Sequence, residues 1–348
     1  MRHSLRISII TDAWHPQFNG VVRTLEHTVA ELEGAGHTVQ MIHPGLFRSL
    51  RFPPYPDIRL AVFPKRKVAK LLREFNPDAI HIVTEAVLGL SARSYAIKRH
   101  IPFTTSFHTR FPEYAHEYSK DMFSKFGVKW GLPTKLGYDY LRWFHSPATS
   151  VLTATESLCI ELNDVGISQT SLWPLGVDLD LFHPDHRDTL ENAKPPILMY
   201  MGRVALEKNI GDFLNLMNAG TKYVVGEGPE REDLARKYPT VRFVGMQKGN
   251  ALSRYLASAD VLVFPSKTDT LGLAMIEAQA CGTAIAAYPV AGPLQVVRPG
   301  INGALSEDLG HAVREALKIN REECRRSVDH LTWENSTKAF LSNLALIR

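Results

Sequence analysis

Short runs of valine, isoleucine and leucine alternate with longer stretches of helical periodicity along this chain, and the alternation occurs twice. The first series of apolar runs is SLRISII (4–10), HTVQMI (37–42), DAIHIV (78–83), PFTTSF (102–107) and TSVLTA (149–154), with helix-like stretches such as Val21–Leu32 and Ala86–Arg99 between them. After Pro196 come ILMYMG (197–202), KYVVG (222–226), VRFVG (241–245), DVLVFPS (260–266) and TAIAAY (283–288), again separated by helical patterns. Continuous apolar strands alternating with helices argue for parallel sheets covered on both faces. The expected fold class is therefore α/β, with two doubly wound, Rossmann-like domains. Between the two series, GVDLDLFHPDHRDTLENAKPP (176–196) is polar and ends in a proline pair that disfavours helix, which predicts an interdomain linker. Near the end, LTWENSTKAFLSNLALI predicts a final helix after Asn335.

Length agrees with this picture, because 348 residues with 45% apolar composition supply enough material for two packed cores. The three cysteines, Cys159, Cys281 and Cys324, are far apart and lack paired metal-ligand spacing, so they read as buried thiols in a reducing compartment. The opening MRHSLRISIITDAW is too short in apolar residues for a signal-peptide core, and no later run approaches the ~20 residues of a membrane span. A cytoplasmic protein is expected. The net charge of +4 hides an asymmetry. Residues 1–150 carry 20 Lys and Arg against 12 Asp and Glu, and residues 151–348 carry 20 against 24. The basic front half suits an anionic partner, a lipid surface or nucleic acid, or is simply a solvated basic face.

In doubly wound domains ligands bind outside the carboxyl ends of the strands, and four unusual segments follow predicted strands. In TDAWHPQFNGVVRTL, Gly20 stands at a helix start, where backbone N–H groups and the helix dipole favour a phosphate; an ordinary turn glycine reads the same way. In TTSFHTRFPEY, His108 lies just past a strand, placed to hydrogen-bond a ligand or to be satisfied structurally. In MYMGRVALEKNIGDFL, Arg203 and Lys208 flank a helix predicted to begin near Leu206, so a planar fork and a point charge can converge on one anion; Glu207 offers a surface-pair alternative. In FPSKTDTLGLAMIEAQACGTA, Asp269 lies in a loop and Glu277 almost two turns into a helix predicted to start near Leu271. The pair can grip sugar or ribose hydroxyls, with a helix-capping acid and a solvated glutamate as the alternative.

Gly20, His108, Arg203 with Lys208, the turn Gly226-Glu227-Gly228-Pro229 and Asp269-x7-Glu277 occur in the order of the retaining glycosyltransferases of family 4, and the chain resembles that family over nearly its whole length. The resemblance implies a GT-B fold, with two Rossmann-like domains facing a central cleft. It implies an acceptor-side domain over 1–178, a nucleotide-sugar domain over 179–330, and a helix over 331–348 that crosses back to the first domain. It assigns Arg203 and Lys208 to the donor diphosphate, Glu277 to the ribose hydroxyls and Gly20 to the distal phosphate. His108 and Asp269 act at the transferred sugar, with the backbone of Thr270, Leu271, Gly272 and Leu273 seating it, and Met246 lies beside the base. Asp269 stands where the family usually has glutamate, which shortens the reach by about one carbon–carbon bond, ~1.5 Å. Cationic stabilisation of the leaving diphosphate is electrostatic catalysis that requires no metal and no cofactor, and the resemblance implies transfer with retention of configuration.

For the acceptor, LFRSLRFPPY (46–55), PKRKVAKLLREF (64–75) and KDMFSKFGVKWGLPTKLGYDYLRWFH (120–145) interleave cations with apolar and aromatic side chains, as suits a protein resting on an anionic bilayer. Core packing of those aromatics is the other reading. The motifs are similar to those of lipid-glycosylating members such as sulfoquinovosyl- and glucosyl- or glucuronosyl-diacylglycerol synthases. The expected partners are thus a nucleotide sugar, which the resemblance gives as a UDP-sugar, a lipid acceptor such as diacylglycerol, and the cytoplasmic face of an anionic membrane, with no nucleic acid. A GDP-mannose-dependent mannosyltransferase, a soluble small-molecule glycosyltransferase and a non-catalytic nucleotide-sugar binder are the alternatives. A Rossmann dehydrogenase is disfavoured, since Gly-x-Gly-x-x-Gly never follows a strand.

Overall fold

A computed structural model describes residues 4–17, 19–52, 55–108, 132–217, 220–267 and 272–347. The chain divides into two compact units, Met1–Gly176 with Trp333–Arg348, and Val177–Thr332. Each is built on a six-stranded sheet whose pairings are all parallel.

In the first unit the strands are β1 (Arg6–Ile10), β2 (Thr38–Ile42), β5 (Ala79–Ile82), β6 (Thr104–Phe107), β7 (Ser150–Thr153) and β8 (Thr170–Leu172), in the order β2-β1-β5-β6-β7-β8. A separate antiparallel hairpin pairs β3 (Ser49–Phe52) with β4 (Tyr55–Ala61). β1 and β5 are buried almost throughout, because helices cover both faces. One face packs on α2 (Lys65–Phe75) and α3 (Val87–Lys98) through Ile10, Ile80, Ile82, Val68, Leu72 and Ala92. The other packs on α1 (Gly20–Gly34) and the C-terminal helix Trp333–Asn343. That last helix is docked by Trp333, which stacks on His27 with centroids 4.4 Å apart, and by the fully buried Phe340, and beyond its end Ile347 N–H donates to the Asp78 carbonyl at 2.8 Å.

In the second unit β9 (Ile197–Met201), β10 (Thr221–Val225), β11 (Arg242–Gly245), β12 (Val261–Phe264), β13 (Ala284–Ala287) and β14 (Gly303–Leu305) take the order β11-β10-β9-β12-β13-β14. The segment read as an interdomain linker is instead folded onto this unit. Phe182 is buried, His186 Nδ1 lies 2.8 Å from Ser253 Oγ, the Asp188 N–H donates to Ser258 Oγ at 3.0 Å, and Asp188 pairs with Arg254 at 2.6 Å. Its polarity serves side-chain bonds to the helix Gly249–Ser258 rather than solvation.

The thiols also differ in part from expectation. Cys281 and Cys324 are buried, and burial pushes both up to about 12, whereas Cys159 is half-exposed beside Thr153 Oγ1. Near Cys281, Arg321 donates to the carbonyls of Ala257, Ala259 and Cys281 and to Thr283 Oγ1, at 2.5 to 3.2 Å. These bonds satisfy the orphan carbonyls at the ends of two helices. Arg321→Leu leaves those acceptors unpaired and is expected to destabilise the second unit by ~2–4 kcal/mol, readable in chemical denaturation. A loss under about 0.5 kcal/mol would mean that water replaces the guanidinium.

Candidate functional site

A doubly wound sheet opens a ligand crevice where the strand order reverses. In the second unit that point lies between β9 and β12, so the loops after these two strands form the candidate site. They carry Arg203 with Lys208, and the segment 265–272.

Around the Gly202–Lys208 loop the backbone is held from several sides. Tyr200 Oη donates to the Arg203 carbonyl at 2.6 Å, Gly202 N–H to the Val225 carbonyl at 3.0 Å, and Val204 N–H to the Glu227 carbonyl at 2.9 Å. Arg203 is exposed and Lys208 half-buried. The helix expected to begin near Leu206 does not form as one piece. A single 3-10 turn, Leu206–Lys208, is followed by a break at Asn209 (φ +51°) and a five-residue helix, Ile210–Leu214. The break has a local cause, since the Asn209 side-chain N–H donates to Asp212 Oδ2 at 2.6 Å and to the Pro265 carbonyl at 3.3 Å. Asp212 Oδ2 also accepts from Tyr288 Oη at 2.6 Å, and Lys267 Nζ lies 4.3 Å from the Tyr288 ring centroid. Burial, with the Asp212 hydrogen bond next, raises the Tyr288 phenol well above its ordinary value. Asn209, Asp212 and Tyr288 thereby tie together the loops after β9, β12 and β13.

Gly226-Glu227-Gly228-Pro229 works as a clamp on the same loop. Gly226 N–H donates to the Gly245 carbonyl at 2.9 Å, so the turn bridges the ends of β9 and β11. Met246 follows directly and is 44% exposed. Asp269, Thr270 and Leu271 lie outside the described residues. Gly272 caps the helix Leu273–Ala280 with φ +86°, so that helix begins two residues later than expected, and its first residue, Leu273, is buried. Glu277 is only 2% exposed on its second turn, which removes the reading of a solvated glutamate. A carboxylate in that position requires hydrogen-bonding or charged partners.

In the first unit the strand order reverses between β1 and β5. After β1, buried Asp12 accepts from Leu88 N–H at 3.0 Å and from Thr84 Oγ1 at 2.9 Å, fixing the start of α3. Desolvation raises its pKa, against those hydrogen bonds. Gly20 is the first residue of α1 and is exposed, with Asn19 Oδ1 capping Val22 N–H at 3.1 Å. His108 follows β6 and is pushed down to about 4 by burial, against the opposing pull of Glu85. Close by, His145 bridges Thr105 Oγ1 (2.8 Å from Nδ1) and Glu85 Oε1 (3.3 Å from Nε2).

Of the described residues singled out by the sequence, Gly20 opens α1, His108 follows β6, and Arg203 and Lys208 share one braced loop after β9. Sequence reasoning missed Tyr200, which bonds within its own loop, and Asn209, Asp212 and Tyr288, whose bonds to Pro265 and to each other join segments far apart in the chain. Among the described residues, no three His, Cys, Asp or Glu side chains are grouped to hold a metal ion, and no helix is long and apolar enough to cross a membrane.

Comparison with known proteins converges on one family. The model for glycosyltransferase family 4 matches residues 18–181, and that for glycosyl transferases group 1 matches residues 195–319. A GDP-mannose-dependent alpha-mannosyltransferase of Corynebacterium glutamicum is 28% identical across 98% of this chain and 89% of its own length. An alpha-monoglucosyldiacylglycerol synthase of Streptococcus pneumoniae is 25% identical across 97% of this chain and 83% of its own. Among solved structures, a sucrose-phosphate synthase from Thermosynechococcus elongatus superposes with a TM-score of 0.73 at 21% identity, covering 97% of this chain and 98% of that one. Matched in both halves by these glycosyltransferase models, and folded as two Rossmann-like units, the chain belongs to the family 4 glycosyltransferases and has the GT-B fold.

Proposed function

We propose that this glycosyltransferase moves a hexosyl group from a nucleotide sugar to the hydroxyl of a membrane lipid, with retention of configuration and without a metal ion. The observation that carries the lipid reading is a basic, apolar surface on the first unit. On α2, Lys65, Arg66, Lys67, Lys70 and Arg73 are exposed while Val68 and Leu72 are buried. Immediately before it Phe63 is 94% exposed, at φ +48°, and Leu50 of β3 is 68% exposed. An aromatic ring held out in water beside a row of cations suits an interface of acyl chains and anionic headgroups. The diacylglycerol-glycosylating relative supports the same acceptor class.

On the donor side, Arg203 and Lys208 bind the diphosphate and balance the charge that develops as the glycosidic bond breaks, Glu277 holds the ribose, and His108 lies against the transferred sugar. On this reading catalysis is electrostatic. A UDP-sugar donor follows from the resemblance to diacylglycerol synthases. GDP-mannose is the second reading, favoured by the mannosyltransferase relative that aligns over nearly the entire chain.

Purified protein incubated with EDTA, dioleoylglycerol in phosphatidylglycerol vesicles, and either GDP-mannose, UDP-glucose, UDP-galactose or UDP-glucuronate tests all of this by mass spectrometry. A glycosylated lipid from one donor is the expected product. Donor hydrolysis with no lipid product would remove the lipid acceptor and keep the transferase, and activity only without EDTA would restore a metal.

A further inference from the structure

Four rings lie in contact between the carboxyl edge of β6 and the C-terminal helix. His108 meets the Trp173 indole edge-on, with centroids 5.6 Å apart and planes at 71°. Trp173 lies 4.9 Å from Phe340. His81 meets both edge-on, at 5.7 Å from Trp173 and 4.9 Å from Phe340. Trp173, Phe340 and His81 are no more than 2% exposed. The base of the stack is rigid, because His81 is fixed at both ring nitrogens, by Thr104 Oγ1 at 2.9 Å and Ser106 Oγ at 3.2 Å. The Trp173 indole N–H, by contrast, is buried with no hydrogen-bond partner among the described residues.

We infer that Trp173 and Phe340 are positioning residues for His108: through this stack the C-terminal helix fixes the orientation of the imidazole and shields it from water. The inference rests on the proposed role of His108 at the transferred sugar. Edge-to-face ring contacts have preferred geometries, so a gap at Phe340 is transmitted through Trp173 to His108. The described titratable groups that face His108 are His81 on β5 and Glu85 in the loop after it. Glu85 favours the imidazolium, yet burial prevails and holds His108 down at about 4. Opening the stack to water should reverse that order.

The test follows His108 in the full-length, histidine-labelled protein by NMR, with His108→Asn assigning its resonance. Wild-type His108 should stay neutral down to about pH 5, and Phe340→Ala or the milder Phe340→Leu should bring its midpoint up to about 6, near a solvated imidazole. In parallel, turnover is read as nucleoside diphosphate released from GDP-mannose or UDP-glucose. Its kcat should fall about tenfold with donor KM within about twofold, and its acid limb should move up with the NMR midpoint. Leu32→Ala, in the same core but outside the stack, supplies a comparable loss of packing with an unchanged His108. A His108 midpoint that Phe340→Leu leaves in place, or that Leu32→Ala moves equally, overturns the inference. Unimpaired turnover in His108→Asn would instead overturn the role of His108 in transfer, while the NMR midpoint would still decide what the stack does.

Discussion

Lys208→Ala is expected to lower transfer by about 10²–10³-fold, and Arg203→Ala by a similar factor, with little change in thermal stability. Both side chains belong to the loop after β9, at the point where the strand order of the second unit reverses. Removing either charge leaves the departing diphosphate partly unbalanced in the transition state, so the loss should fall on kcat as well as on donor KM. The loop backbone itself is fixed by Tyr200 and by the turn at Gly226–Pro229, so truncating either side chain should leave the fold intact. Lys208→Arg should recover only part of the activity, since a planar fork does not reproduce a compact ammonium. Steady-state kinetics over a donor series, with a melting curve for each variant, is the measurement. A loss below about fivefold in both alanine variants would sink the assignment of this loop to the diphosphate.

Gly226→Ala should be the most damaging single methyl group added to the second unit. A Cβ there would lie 1.9 Å from the Gly202 carbonyl oxygen and 2.9 Å from its carbon, so backbone has to move. Gly228 is equally tight, with a Cβ 2.1 Å from the Val204 oxygen. The displaced residues flank Arg203, which couples the clash to donor binding. The expected cost is more than ~4 kcal/mol, from overpacking and lost hydrogen bonds together. Whatever protein remains folded should bind donor weakly by calorimetry. Gly211→Ala, a helical position where an added Cβ meets nothing within 4 Å, is the matched control and should be neutral or slightly stabilising. Equal stability of the Gly226 and Gly211 variants would show that the turn can yield.

The strands were legible wherever the sheet is covered on both faces. At β9, β12 and β13 burial requires an unbroken apolar run, and at β1 and β5 a run interrupted only by the buried Ser8 and His81, and such runs stand out in a sequence. The edge strands β8 and β14 were not visible, because each is three residues long and paired on one side only. The β3–β4 hairpin escaped for a different reason: SLRF and YPDIRLA alternate apolar with charged residues across a turn that carries no Asn-Gly or Asp-Gly signal.

Within the candidate site, what the sequence by itself determined is chemical type and chain order: cations after β9, a histidine after β6, a glycine opening α1, and a glutamate in the helix after β12. These follow from local pattern, since a strand's end and the polar residues beyond it are written consecutively. Tertiary structure decided the rest. Asn209 breaks the expected helix because its partners are Asp212 and the carbonyl of Pro265, which is 56 residues away. The 177–196 segment folds because Ser253, Arg254 and Ser258 come to meet it. Trp173 and Phe340 touch because the last helix returns to the first sheet. Contacts of this kind depend on which strands become neighbours, and periodicity, being a property of one segment at a time, carries no record of that pairing.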